Sequence, residues 1–95
     1  MTYEEFTASL EDTAPSPTLS PLLQALWFAG NDDWDAAHAL AQDVPTAEGS
    51  WVHAYLHRVE GDPGNASFWY HHAGKPVPKV GLQEEWENIV QALLS

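Results

Sequence analysis

Two histidines and one acid on a single predicted helix are the side chains of this chain best suited to chemistry. In "WVHAYLHRVEGD", residues 51–62, His53 and His57 are four residues apart, and Glu60 follows three residues later. At about 100° per residue the three side chains fall on one edge of the helix. Histidines at i and i+4 can both reach one metal ion, and neutral imidazole is a common zinc ligand. The spacing therefore predicts a candidate divalent-metal site on this edge.

The same residues leave two other interpretations open. Glu60 could orient His53 or His57 as a general base, or the two rings could simply be hydrogen-bonded at the partly buried flank of a packed helix. The helical zincin motif has its catalytic acid directly after the first histidine, where this chain has Ala54. A zinc site also needs at least one further ligand, either Glu60 or a histidine of a neighbouring helix. Those histidines are His38, His71 and His72.

The composition predicts one small domain, residues 1–95, and excludes several classes of site and partner. Apolar residues make up 44% of the chain, enough for a compact core without metals or disulfides. Cysteine is absent, which excludes disulfides and thiolate zinc sites. Fourteen acids against three bases give a formal charge of −11, which repels phosphate backbones and anionic lipid. We therefore expect no direct binding to nucleic acid or to a membrane.

The start of the chain and its hydropathy predict a cytoplasmic location. The opening residues "MTYEEF" carry acids where a signal peptide carries basic residues. No apolar run approaches the length that spans a bilayer.

Helix caps and hydrophobic periodicity predict an all-α bundle of about six helices. Ser20 with Pro21, and Asp62 with Pro63, are typical N-cap and first-helical residues. The fourth helix, roughly residues 50–60, places four apolar residues at i, i+3, i+4 and i+7, the pattern of a buried stripe. Those residues are Val52, Tyr55, Leu56 and Val59. Short connections such as "GND" and "GDP" favour antiparallel helix pairs, with the last helix lying over them as a lid.

Part of this pattern resembles known helical repeats. "GDPGNASFWYHHAGKPVP" is similar to the second helix of a tetratricopeptide repeat, and its Ala66, Trp69, Tyr70 and Ala73 resemble the core of a Sel1-like repeat. "DWDAAHALA" is a weaker copy, and its Ala37 lies only 29 residues before Ala66, against about 34 in a regular array. Trp51 through Pro78 also resembles small bacterial helical proteins of no assigned role. The resemblance implies tetratricopeptide-like helix pairs that pack through small alanines.

Two further groups of residues are candidates for binding. Phe68, His71 and His72 point away from the apolar stripe of their helix and could form a partner-binding patch. Trp27, Trp34 and Trp51 lie toward the sides of their helices and could border a cleft, whereas Trp69 and Trp86 are predicted to lie in the core. The leading hypothesis for function is a protein-interaction or adaptor domain, acting on a protein partner or by self-association. The alternative is a metal- or small-ligand-binding protein that uses His53, His57 and Glu60, with His38 as an additional ligand.

The histidines also predict a pH response. Charging all five would change the formal net charge from −11 to −6, and the surrounding acids are expected to favour the charged rings. Assembly or solubility would then change between about pH 5 and 7.

Overall fold

The structure is a computed structural model that describes all 95 residues, and it confirms the all-α prediction. It contains six α-helices, a single 3-10 turn, Ser9–Glu11, and no strand. The helices are α1 (Tyr3–Ala8), α2 (Pro21–Gly30), α3 (Trp34–Ala41), α4 (Ala47–Val59), α5 (Pro63–Ala73) and α6 (Leu82–Leu94). None of them is both long and apolar enough to cross a bilayer.

Side-chain caps set the starts of the helices that carry the candidate residues. Asp33 accepts a hydrogen bond from the backbone N–H of Ala36 at the start of α3, and Asp62 caps α5 in the same way through Asn65. Thr46 caps α4 by accepting from Gly49, so α4 begins at Ala47, about one turn before the predicted start. Each cap satisfies one of the backbone donors that a helix start leaves unpaired.

The core lies between α2, α4 and α6. The helix pairs α2 with α3 and α4 with α5 pack most extensively, each across a connection of three residues or fewer. Helix α6 lies against α1, α2 and α4, as expected of a covering helix. It places Trp86, Ile89 and Val90 in the main core. The predicted stripe of α4 is buried except for its last member, Val59, which is 40% exposed.

A buried acid ties three helices together. Glu85 of α6 is only 2% exposed, and its carboxylate accepts hydrogen bonds from the Arg58 guanidinium of α4 and the Tyr70 hydroxyl of α5. Arg58 also donates to the backbone carbonyl of Val80, which holds the irregular segment before α6. These bonds offset the large cost of burying a carboxylate. Arg58 lies on one flank of α4, and a different flank of this helix faces α3.

Candidate metal centre

Helices α3 and α4 bring three histidines into one cluster. His38 of α3 meets His53 and His57 of α4, and one ring nitrogen from each lies within 4.8 Å of those of the other two. The closest approach is 2.9 Å, between Nε2 of His38 and Nε2 of His53. His53 and His57 are each only 7% exposed, and His38 is half-buried. We call His38, His53 and His57 the three-histidine cluster.

Trp34 fixes the His38 side of the cluster. Its indole stacks on the His38 ring with the ring centroids 4.7 Å apart and the planes 13° from parallel. Its Nε1–H donates to the backbone carbonyl of Leu56, 2.6 Å away on α4. One side chain thus joins α3 to α4 and orients an imidazole toward the other two.

Trp69 of α5 supports the cluster from the other side. Its indole stacks on His53 with centroids 4.2 Å apart, and His53 in turn stacks on His57 at 4.7 Å. The two indoles and three imidazoles therefore restrict one another, and little side-chain freedom remains to be lost when a ligand binds.

Glu60 orients the third ring. Its Oε1 lies 2.7 Å from Nδ1 of His57, so Nδ1–H donates to the carboxylate. The proton on Nδ1 leaves Nε2 of a neutral His57 ring with its lone pair available. A carboxylate bonded to the non-ligating nitrogen is the usual support of a metal-binding histidine. Glu60 is therefore placed to position His57, rather than to complete the cluster as a ligand.

Burial favours the neutral form of His38 and His53. Burial, followed by the neighbouring His38 and His57 rings, lowers the pKa of His53 to about 4. Burial followed by the charge of His57 also lowers the pKa of His38, despite the opposing effect of Glu60 and Asp35. The expectation that nearby acids favour the charged rings is wrong for these two histidines. Both offer neutral nitrogen atoms at neutral pH, the form that binds metal.

The observed separation is close to that of zinc ligands. Two nitrogens at about 2.0 to 2.1 Å from one zinc ion, at the tetrahedral angle, lie about 3.3 Å apart. The two Nε2 atoms of His38 and His53 are 2.9 Å apart, so they need to separate by only about 0.4 Å. The hydrogen bond between them holds both rings near the coordinating geometry.

A second group of possible ligands shares His57. Ligand atoms of His57, Glu60 and Asp62 also lie within 4.8 Å of one another, but both acids are exposed. Asp62 caps α5 and Glu60 bonds to His57, so each carboxylate already has a structural role. Glu60 therefore supports the three-histidine cluster through His57, and this second group is not a separate candidate metal centre.

Comparison of the chain with protein-family models, with curated proteins and with solved structures gives no match.

The structure does not bring together Trp27, Trp34 and Trp51, the tryptophans expected to border a cleft. Trp27 is 4% exposed in the main core, where its indole donates to the carbonyl of Ser9, so it borders no cleft. Trp34 lines a cavity of about 100 Å³ together with Leu56. Trp51 lines a different one of about 200 Å³, with Lys75 over its ring. Trp69, predicted as core, is half-exposed and supports His53 instead.

The predicted surface patch on α5 is exposed. Phe68 is 54% exposed, and His71 and His72 also face solvent. The Phe68 ring lies beside His72, with centroids 4.7 Å apart. His71 and His72 are not part of the three-histidine cluster, which removes them from the possible third ligands.

The largest cavity, about 450 Å³, borders the cluster at His53. It lies between the segment joining α3 to α4 and the outer face of α5, where Trp69 and His72 form one wall. Sequence reasoning missed this cavity, because it depends on how α5 packs against the 41–50 segment. The one sequence signal for this cavity is Trp69, the aromatic residue of α5 that lies four residues before Ala73.

Proposed function

We propose that this protein binds a divalent transition-metal ion, zinc above all, through His38, His53 and His57. The observation that carries the proposal is the convergence of three imidazoles from two helices, with ligand atoms within 4.8 Å of one another. Three imidazoles from two helices that converge in this way, two of them buried, form a ligand set for a metal ion.

The chemistry of the ligands favours zinc over alkaline-earth ions. Calcium and magnesium take oxygen ligands, whereas imidazole nitrogen suits zinc, copper, nickel and iron. All three members of the cluster are histidines, and the Glu60 carboxylate is bonded to Nδ1 of His57, which leaves Nε2 of that ring for a metal. Three neutral imidazoles are also a known ligand set for a zinc ion that keeps an open position.

Calorimetric titration of the metal-stripped protein with zinc tests the proposal. We expect one ion per chain with micromolar or tighter affinity, and loss of this binding in the His53→Ala, His57→Ala double variant. A matched His71→Ala, His72→Ala variant, which removes two exposed histidines of α5, should keep the wild-type affinity. Equal heats in all three proteins would contradict the proposal, since binding would then not depend on the cluster.

A second candidate function is self-association through α5, which is one form of the interaction-domain hypothesis. Phe68 is the one exposed residue among the phenylalanines, tyrosines and tryptophans of the chain. Helix α5 contains no acid, although the chain has 14. The occupant that fits is a second copy of this chain, because its many exposed carboxylates can accept hydrogen bonds from the imidazole N–H groups of His71 and His72.

Sedimentation velocity over a wide range of protein concentration tests self-association. We expect dimers that dissociate in the Phe68→Ser variant, while Val77→Ser, at another exposed apolar residue, leaves them intact. A protein that is monomeric at every concentration would contradict this second candidate and leave the metal site unaffected.

A further inference from the structure

The three-histidine cluster provides too few ligands to enclose a metal ion. Structural zinc sites have four protein ligands, and sites with three leave a position for water or substrate. The ligand atoms that group with those of His38 and His53 come from His57 alone, and no carboxylate joins that group. An ion bound there therefore keeps at least one open coordination position.

The cavity beside His53 has the size of a small-ligand site. Its volume of about 450 Å³ lies within the range of roughly 300 to 1,000 Å³ typical of such sites. His53 is the member of the cluster that lines it, and Trp69, stacked on His53, lines it too. A molecule in this cavity would thus lie against a metal-ligating ring and against the indole that supports it.

The walls of the cavity select a class of ligand. In a chain with 14 acids, none of the eleven lining residues is an acid, and none is Lys or Arg. No carboxylate therefore lines the cavity to repel an anion directly, and a bound metal ion would supply the positive charge that attracts one. Val44, Pro45 and Trp69 offer apolar surface, while Thr46 and Ser50 offer hydroxyl groups.

We infer that this cavity is the binding site for a small anionic oxygen donor, such as a carboxylate or hydroxamate with a short apolar or aromatic body, that coordinates the metal held by the three-histidine cluster. The inference rests on the proposed function and adds the ligand class to it. The apolar body lies against Trp69 and the 44–50 segment, and the anionic oxygens reach the metal past His53.

The test uses the protein loaded with Co²⁺ in place of zinc, because the visible absorption of Co²⁺ responds to its coordination. Benzohydroxamate is the probe, azide is a smaller anion for comparison, and benzamide is a control without the anionic donor. We expect saturable spectral changes with benzohydroxamate and azide and none with benzamide.

Two matched variants locate the binding site. Ala47 is exposed and lines the cavity, so Ala47→Trp fills the cavity without disturbing the core. Ser67 is exposed on α5 and does not line it, so Ser67→Trp is the control. We expect benzohydroxamate to bind at least tenfold more weakly to Ala47→Trp and with unchanged affinity to Ser67→Trp. Co²⁺ affinity should be the same in both variants.

The outcomes separate this inference from the proposed function. If Co²⁺ binds but neither anion changes its spectrum, the ion has no open position and the inference fails while the metal site stands. If benzohydroxamate binds equally well to Ala47→Trp and wild type, the ligand approaches from elsewhere and the cavity is not its site. If Co²⁺ does not bind to the three-histidine cluster, the proposed function and this inference both fail.

Discussion

His38 and His53 are 15 residues apart in sequence and lie on different helices, yet their Nε2 atoms are 2.9 Å apart. One of the two nitrogens must donate and the other accept, so the pair shares a single proton. For a metal ion to bind both nitrogens, the donor ring would carry its proton on Nδ1 instead of Nε2. This one contact therefore joins two helices of the fold, requires a proton between the two rings, and brings together two of the proposed metal ligands.

Replacing His38 should remove most of the metal affinity. His38→Ala leaves only the two ligands of α4, and we expect zinc to bind at least about 100-fold more weakly, since even residues behind the ligands change affinity by about 10- to 100-fold. Competition with a chromophoric chelator measures the loss. His71→Ala is the control, because His71 is exposed and lies outside the cluster. Wild-type affinity in His38→Ala would show that α3 contributes no ligand.

Glu60 should act on the metal through His57. We expect Glu60→Ala to weaken zinc binding by about tenfold, because the His57 ring loses the carboxylate that orients it. Glu60→Gln should restore part of the affinity, since the amide oxygen can still accept from Nδ1–H. The same chelator competition measures both variants.

Glu48→Gln is the matched control for Glu60, because it removes one negative charge from the exposed first turn of the same helix. If Glu48→Gln and Glu60→Gln weaken binding equally, the effect of Glu60 is general electrostatics and not orientation of His57.

The part of the site that the sequence predicts is the part set by a single helix. His53, His57 and Glu60 share an edge because of the helical repeat, and this relationship is local. His38 could only be named as a candidate, since its approach depends on how α3 crosses α4. That crossing is held by the bond from Trp34 to Leu56, which no local pattern contains.

The sequence does not predict which side chains with polar groups are buried. Glu85 begins a helix among other acids and is typical of a solvated first turn, but Arg58 and Tyr70 from distant parts of the chain draw it inside. Trp27 lies toward the side of α2, and the carbonyl of Ser9 accepts its indole N–H in the core. Both outcomes depend on partners brought together only by tertiary packing.

The metal-free protein should lose stability as the pH falls. Folding lowers the pKa of His53 from 6.5 to about 4, so the unfolded chain binds a proton there more readily than the folded chain does. This contribution to stability is fully present above pH 6.5, is lost between about pH 6.5 and 4, and stays constant below that. We expect a loss of about 1 to 2 kcal/mol, after allowance for solvent screening.

Urea unfolding at a series of pH values measures this effect. His53→Phe keeps an aromatic ring against Trp69 but cannot be protonated, so its stability should fall less between pH 6.5 and 4 than that of the wild type. Parallel curves for the two proteins would mean that protonation of His53 does not contribute.

The Tyr70 hydroxyl should stabilise the fold without contributing to metal binding. It lies 2.7 and 2.6 Å from the two oxygens of Glu85, whose carboxylate is buried. Tyr70→Phe leaves Arg58 as the one remaining side-chain partner of that carboxylate. We expect the free energy of unfolding to fall by about 1 to 3 kcal/mol, the usual cost of leaving a buried acceptor short of a donor.

Urea unfolding of Tyr70→Phe beside Tyr3→Phe checks this expectation. Tyr3 is half-buried and its hydroxyl has no hydrogen-bond partner within the protein, so Tyr3→Phe removes the same atom without breaking a bond. Zinc affinity under native conditions should be unchanged in both, because neither residue contacts the three-histidine cluster. Equal stability of the two variants would show that Glu85 does not need the Tyr70 hydroxyl, whereas a large loss confined to Tyr70→Phe would establish that hydrogen bond as the one that holds α5 to α6.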